Sequence, residues 1–389
     1  MAPGVVVGID FMRLIHLADY GGTYPGSFIP MVRALLDGGR RRGWHVQAVF
    51  SEVARDRAWL SELREEGFDC RVATRGRRGL DGTLEQLLVT GEPTILHTHF
   101  TAFDIVAARA ARRHEEVLAY WHLHSALRTG AWWRARNAVK LRLLSRGVAE
   151  ILCVAPNILE QARKRMAPHD RLALVTNAID LERFPLVTTE RRRGSREQLG
   201  LPVDARVVLH FGWDWDRKGG DIFLGAIAAL LRDRDNEDLI AVTVADRQPA
   251  ELAAEAMGIS KNVRIMQPSN DVGSLYAAAD IFAAPSRGEG HPFAVAEALA
   301  SGLPVIASPI PGHEMIAAGT HACRIAPLDP NSFSDALRDV MAVPEAEADL
   351  TRLAAREWVV AEMDINAWSE RMFSRYEEAL RRREDTAQS

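Results

Sequence analysis

Cysteine is scarce in this chain: Cys70, Cys153 and Cys323 are the only three among 389 residues, and they lie far apart. An odd, scattered set makes neither a disulfide framework nor a zinc-ligand cluster, and it fits a reducing compartment. Long apolar runs are missing too; none approaches the roughly 18 residues that a membrane-spanning helix needs. No basic segment precedes the apolar start MAPGVVVGID, so no secretory leader is expected and the protein reads as cytoplasmic. There is no overall excess of base: the formal net charge is -4, which argues against bulk nucleic-acid binding. Internal repeats and low-complexity tracts are also absent.

What is present is ordinary globular composition, with 47% hydrophobic and 26% charged residues. At ~100–200 residues per domain, the length predicts two domains. Charge is split between them. Residues 1–185 carry 26 Lys/Arg against 20 Asp/Glu, and the remainder carries 22 against 32. Such asymmetry suggests that each half meets a different partner.

Short apolar runs alternate with helix-length amphipathic segments. Strands are predicted at 5–9, 45–50, 68–72, 94–98, 117–121 and 150–154, and again at 206–211, 239–244, 262–266, 280–284 and 303–307. Helices are predicted between them, among them 28–42, 103–114, 219–232 and 292–301. This alternation indicates parallel sheets covered on both faces, and hence two doubly wound α/β domains in tandem. The polar stretch TTERRRGSREQLGLP, residues 188–202, reads as a linker. It divides a domain of residues 1–187 from one of 203–364. Residues 366–383 form one more amphipathic helix, with Trp368, Met372, Phe373, Tyr376 and Leu380 on its apolar side. In doubly wound sheets ligands sit beyond the carboxyl ends of the strands, so chemistry is sought there.

Four segments occupy such ends. The loop DYGGTYPGSF offers Gly21, Gly22 and Gly26 for close backbone approach, with Ser27 as a helix N-cap. The helix start behind it presents free N–H groups to an anion. Two H-x-H strings, His97–Thr98–His99 and His122–Leu123–His124, each close a predicted strand. They fit either a metal site or a gathering of polar side chains around a substrate. The second is favoured, because no carboxylate or thiol at ligand spacing joins them. In WDWDRKGG, Arg217 and Lys218 stand side by side at a predicted helix start, an unfavourable place for cations unless they bind phosphate. The strongest segment is PSRGEGHPFAVAEALASGLPVIAS: strand, loop, helix, strand. Glu289 lies in its loop between Gly288 and Gly290, and Glu297 in its helix, with Pro292 in the first turn. Each carboxylate can accept two hydroxyl hydrogen bonds of the kind a sugar or ribose offers.

Together these residues resemble family 4 of the retaining glycosyltransferases (GT4, group 1), which have the GT-B fold. The E-x7-E element with its continuation EALASGLPVIAS carries the resemblance, supported by HTHF, TNAIDLERF, RKGGD and YAAADIFAAP in the same order over about residues 5–315. The resemblance implies two Rossmann-like domains facing across a cleft, with the C-terminal helix (365–384) crossing back to the first. It implies a nucleotide-diphosphate sugar as donor, with UDP-hexose or UDP-GlcNAc favoured and GDP-mannose admitted. The acceptor is a hydroxyl on a small molecule, glycan or lipid-linked compound, and neither metal nor cofactor is required. Lys218 and Arg217 would neutralise the diphosphate, Glu297 would hold the ribose, and Glu289 would contact the transferred sugar. His124 would stand near the reacting centre. Gly212, Gly290, His291, Phe293, Ala294 and the glycine loop would complete the donor site, with His97, His99, His122 and Asn177 on the acceptor side.

Three departures stand out. Trp213 replaces the family's arginine after Gly212, Pro292 removes an N–H from the helix start, and Ala178 replaces a glycine. A GT-B sugar-nucleotide epimerase, a catalytically silent nucleotide-sugar binder and a metal-dependent hydrolase built on the H-x-H pairs are the alternatives. The triplet Asp214–Trp215–Asp216 also resembles the metal-binding D-x-D of other glycosyltransferases, a weak signal. The stretch Arg128, Arg134, Arg136, Lys140, Arg142 and Arg146, beside Trp132 and Trp133, carries no acid. It reads as a solvated basic face near the site, with peripheral contact to an anionic membrane as the second choice.

Overall fold

The computed structural model describes residues 12–388, apart from 75–76, 89–90, 128–129, 166 and 234–235. The chain forms two compact units. One takes the chain up to Thr176 and again from Ile365; the other is Asn177–Asp364.

The first unit holds a seven-stranded sheet of β1 (Arg13–Ala18), β2 (His45–Ser51), β3 (Asp69–Ala73), β4 (Thr94–His99), β5 (Val117–Leu123), β6 (Val148–Cys153) and β7 (Leu172–Leu174). Its order is β3-β2-β1-β4-β5-β6-β7, and every pair is parallel. The order reverses between β1 and β4, which opens a crevice where the connections from these two strands leave the sheet in opposite directions.

Side-chain alternation assigns the two faces. Ile15, Leu17, Leu96, Trp121 and Ile151 pack on one side with Phe103, Val106 and Ala107 of the 103–113 segment. On that side Thr98 donates to Asp104, Trp121 Nε1 donates to the Asp104 carbonyl at 2.9 Å, and Lys140 pairs with the buried Asp104 carboxylate. Lys140 therefore turns inward, and the predicted basic face loses one of its members. Arg136 lies 5.0 Å from the Trp133 ring and 5.5 Å from that of Trp132, while Arg128 falls outside the described residues.

The opposite face is covered by the helices Phe28–Arg41 and Ile365–Gln388. Gly38 lets them close, since a Cβ there would lie 2.3 Å from Phe373, and Gly39 lets the first helix close on the sheet, since a Cβ there would lie 2.5 Å from Val46. Trp44 meets Phe373 edge-on at 5.2 Å. Trp368, Met372, Phe373 and Tyr376 are buried, as the apolar side of that helix requires, each worth roughly 1.5–3 kcal/mol.

The second unit holds a six-stranded parallel sheet of β8 (Arg206–Gly212), β9 (Leu239–Ala245), β10 (Val263–Met266), β11 (Ile281–Ala284), β12 (Val305–Ala307) and β13 (Cys323–Ile325). Its order is β10-β9-β8-β11-β12-β13, with the reversal between β8 and β11. Val207, Leu209 and Phe211 face one core with Leu275, Leu299 and Val359, whereas Val208 faces the other with Phe223, Leu224 and Phe333. Both faces are thus buried, which is why β8 and β9 read as unbroken apolar runs.

The strand expected at 5–9 lies outside the described residues; the strand leading into the glycine loop is Arg13–Ala18. Two expectations need correction. The stretch taken for a linker forms the helix Thr189–Gln198, capped by the Thr188 hydroxyl. That helix belongs to the second unit, because Arg196 is buried and its guanidinium reaches Asp280 at 2.7 Å and the Ala278 carbonyl at 2.9 Å. The units accordingly divide at Thr176 rather than at 188. No helix among the described residues is long and apolar enough to cross a membrane.

Candidate active site

In the second unit the segments after β8 and β11 meet at the reversal point. Strand β8 ends at Gly212, where a Cβ would lie 2.6 Å from the His210 ring. After Trp213 and Asp214 comes a four-residue helix, Trp215–Lys218, ended by Gly219 at φ +71°. Only glycine fits there: besides the left-handed conformation, a Cβ would stand 2.0 Å from the Pro285 carbonyl oxygen. Arg217 and Lys218 therefore close a short helix instead of opening a long one. The dipole penalty expected from the sequence does not apply to them.

The loop after β11 is laced to this segment. The Arg287 N–H donates to the Arg217 carbonyl at 2.7 Å, and its guanidinium pairs with Asp221 at 2.7 Å. Arg217 Nη1 in turn donates to the Gly288 carbonyl at 3.2 Å. Glu289 is thereby fixed against both cations: Lys218 Nζ lies 2.7 Å and Arg217 Nη1 3.0 Å from its Oε1. Burial pushes the Glu289 carboxyl up, but the Lys218 ammonium and the Arg217 guanidinium outweigh it and hold the group below its ordinary value. Lys218 Nζ also sits 4.7 Å from the centre of the Trp213 ring, so the aromatic that replaces an arginine faces a cation.

Glu297, on the helix Phe293–Ala300, is buried. Its Oε2 accepts from the Tyr276 hydroxyl at 2.8 Å, which also lies 3.0 Å from the Ala294 carbonyl. Pro292 takes the cap position just ahead of that helix, one place earlier than expected. Asn177, expected among the acceptor residues, belongs to this unit, where its amide donates to the His291 carbonyl at 3.2 Å. It supports the glycine-flanked loop from below. Gly290 is approached so closely by Gly312 that a Cβ on the latter would lie 2.2 Å from its carbonyl oxygen. Phe293 and Ala294 are half-buried at the helix start. Asp214 accepts from Arg217 Nε at 2.7 Å, which commits one carboxylate of the D-x-D triplet to a neighbouring cation.

In the first unit the loop after β1 is packed by aromatics. Trp59 Nε1 donates to the Gly22 carbonyl at 2.9 Å, and the Tyr20 hydroxyl donates to the Tyr24 backbone carbonyl at 3.0 Å. A Cβ on Gly21 would meet Val53 at 2.6 Å, and one on Gly22 would meet the Tyr20 hydroxyl at 2.6 Å. Gly26 has φ +54°. Ser27 holds the N-cap place of Phe28–Arg41, but its side chain makes no capping bond. His97, His99 and His122 are buried on the face covered by the last helix, and His124 is half-buried just past β5. Each unit thus collects its own candidate residues at its own switch point.

Sequence reasoning missed Tyr276, His210 and His313. The last two are buried histidines: His210 Nε2 lies 3.1 Å from the Lys218 carbonyl, and His313 Nδ1 lies 3.2 Å from the Ser308 hydroxyl. Tyr276 stands in YAAADIFAAP, which marked the family without marking a role for the tyrosine.

Comparison with known proteins agrees with this reading. The family described as Glycosyltransferase Family 4 matches residues 31–183, and Glycosyl transferases group 1 matches residues 205–342, together about three quarters of the chain. A D-inositol 3-phosphate glycosyltransferase of Corynebacterium glutamicum is 29% identical over 236 residues, covering 57% of this chain and 54% of that protein. One from Saccharomonospora viridis is 33% identical over 204 residues, covering 49% and 46%. The chain thus spans about half the length of these curated relatives. Among solved structures, Anabaena HepE in complex with UDP and glucose superposes with a TM-score of 0.79 at 16% identity, covering 94% of this chain and 100% of that one. Sucrose-phosphate synthase from Thermosynechococcus elongatus does so at 0.75 and 19%, covering 95% and 99%. The shared architecture is the GT-B fold.

Proposed function

The chain belongs to the family 4, group 1 glycosyltransferases, and from that premise we propose that it moves a sugar from a nucleotide-diphosphate sugar to an acceptor hydroxyl, keeping the anomeric configuration and using no metal. The observation that carries the reading is the close contact of Glu289 with Lys218 and Arg217 where β8 and β11 diverge.

The difficult step is departure of a diphosphate while positive charge builds at the sugar C1. An ammonium carries three protons, so Lys218 can serve Glu289 and a phosphate oxygen together. Fixed cations that need no rearrangement stabilise the developing negative charge best in a site shielded from water. Glu289, held ionised, would accept from sugar hydroxyls, and Glu297, fixed by Tyr276, from those of the ribose. The C1–O bond to phosphate breaks and the C1–O bond to the acceptor forms on the same face. The acceptor proton passes to the departing phosphate oxygen, and His124 would stand near the reacting centre.

HepE, solved with UDP, supports a UDP-sugar donor. The D-inositol 3-phosphate glycosyltransferases support a small polyol as acceptor class.

The test measures transfer and donor binding in Lys218→Ala and Glu289→Ala. Each should lose about 100- to 1,000-fold in kcat, the equivalent of ~2.7–4 kcal/mol for one stabilising donor, while the fold persists. Turnover should not be lost in EDTA. Near-normal rates in both variants would refute the assignment. Conversion of the donor to an epimer without acceptor would point to the epimerase instead.

A further inference from the structure

Five histidines from three neighbouring strands share one face of the first sheet. Register pairs His16 of β1 with His97 of β4, and His99 of β4 with His122 of β5; His124 follows β5 on the same side. Neighbouring rings lie close together, with centroids 4.3 Å apart for the stacked His97 and His99 and 4.3 Å for the tilted pair His122 and His124. The nitrogens face one another: His16 Nδ1 and His99 Nε2 at 3.2 Å, His97 Nε2 and His122 Nδ1 at 3.2 Å, His99 Nδ1 and His124 Nε2 at 3.1 Å. His97 Nδ1 lies 2.5 Å from the Tyr376 hydroxyl. His16 is buried, and its Nε2 has no hydrogen-bond partner among the described residues.

Packing alone does not account for this arrangement. Each buried ring nitrogen costs free energy unless it is paired, and an apolar side chain would fill the space without that cost.

His99, His122 and His124 each offer one ring nitrogen, and the three atoms lie within 4.8 Å of one another. Bonds of ~2.0–2.1 Å to a tetrahedral zinc ion set ligand nitrogens ~3.3 Å apart, close to the observed His99–His124 separation. We propose that His99, His122 and His124 bind one borderline divalent transition-metal ion of the Zn2+ type, leaving a fourth position for water or a ligand. The half-buried His124 gives the ion access to the site.

The remaining groups orient the ligands. Metal-bound imidazoles pass their other N–H to a partner. His97 takes that place for His122 and is itself held by Tyr376, and His16 takes it for His99. The triad His16, His97 and His99 is equally close, but it is wholly buried and His97 is engaged by Tyr376. The site goes beyond the transfer reading. An ion on His124 would occupy the ring assigned to the reacting centre, so the metal-free form is the transferase and the ion would hold it inactive.

The test needs no nucleotide-sugar, so it stands or falls apart from the transfer reading. Tag-free full-length protein is stripped with chelator and titrated with Co2+, followed by the visible bands of a four-coordinate ion and by displacement with Zn2+. One ion per chain is expected. His124→Gln should abolish the bands. Tyr376→Phe, which keeps the ring, should weaken affinity by ~10-fold through the orienting chain. Circular dichroism confirms that each variant is folded. Absence of saturable Co2+ binding to the folded protein, or unchanged binding in His124→Gln, would overturn the proposal.

Discussion

Glu289 and Glu297 are held by opposite means, one by two cations and the other by a phenol. Of that arrangement the sequence exposes the charged members. Lys218, Arg217, Glu289 and Glu297 stand out because glycine and strand ends frame them. Tyr276, His210 and His313 do not, because a buried polar residue in an apolar run looks like core. The buried histidines leave a mark on stability. Burial lowers His210 and His313 to about 4, against ~6.5 in the unfolded chain. The unfolded state therefore takes up the extra protons, so this part of the stability is complete above ~6.5 and drains away as pH falls toward about 4. Each histidine should contribute a loss of about 2 kcal/mol by about pH 5. Urea unfolding at about pH 7 and about pH 5 measures it; equal stability at the two would contradict the assignment.

Among the elements, the segment between β8 and the helix Gly220–Leu230 depends on one residue. Gly219→Ala would force a Cβ into the Pro285 carbonyl at a left-handed backbone position. Strain at φ +71° alone costs ~1–2 kcal/mol, and the displaced loop would carry Lys218 away from Glu289. A clear drop in melting temperature, together with weakened donor binding in a thermal-shift panel of UDP-, GDP- and dTDP-sugars, is expected. A variant equal to the parent in both would show that the close approach is not needed. Strands such as β4, β5 and β9 were legible because both faces of their sheets are buried. Strand β1 was not: RLIHLA carries Arg13 and His16, and a histidine cluster on its inner face breaks the apolar signal. The helix Thr189–Gln198 was hidden for a related reason. Its buried side is secured by Arg196 on Asp280, a contact between residues distant in sequence that no local pattern announces.

At the scale of the whole molecule, the first unit is discontinuous and the second is a single stretch. Residues 177–364 contain both of their cores and the Glu289–Lys218 pair, so this fragment should unfold cooperatively by itself. A fragment ending at Thr176 lacks Trp368, Met372, Phe373 and Tyr376, which cover Trp44 and His97, and should fail to form a stable fold. Expression of the two fragments, read by circular dichroism and urea titration, checks both; a stable 1–176 fragment would show that the last helix is dispensable. The same discontinuity bears on biosynthesis. A ribosome making this chain finishes all of Asn177–Asp364 before it reaches the piece that closes the first unit. At ~5–20 residues per second the early half waits about 10–40 s with its greasy flank uncovered. During that interval it is a natural client for a chaperone, although the finished protein gives no hint of needing one.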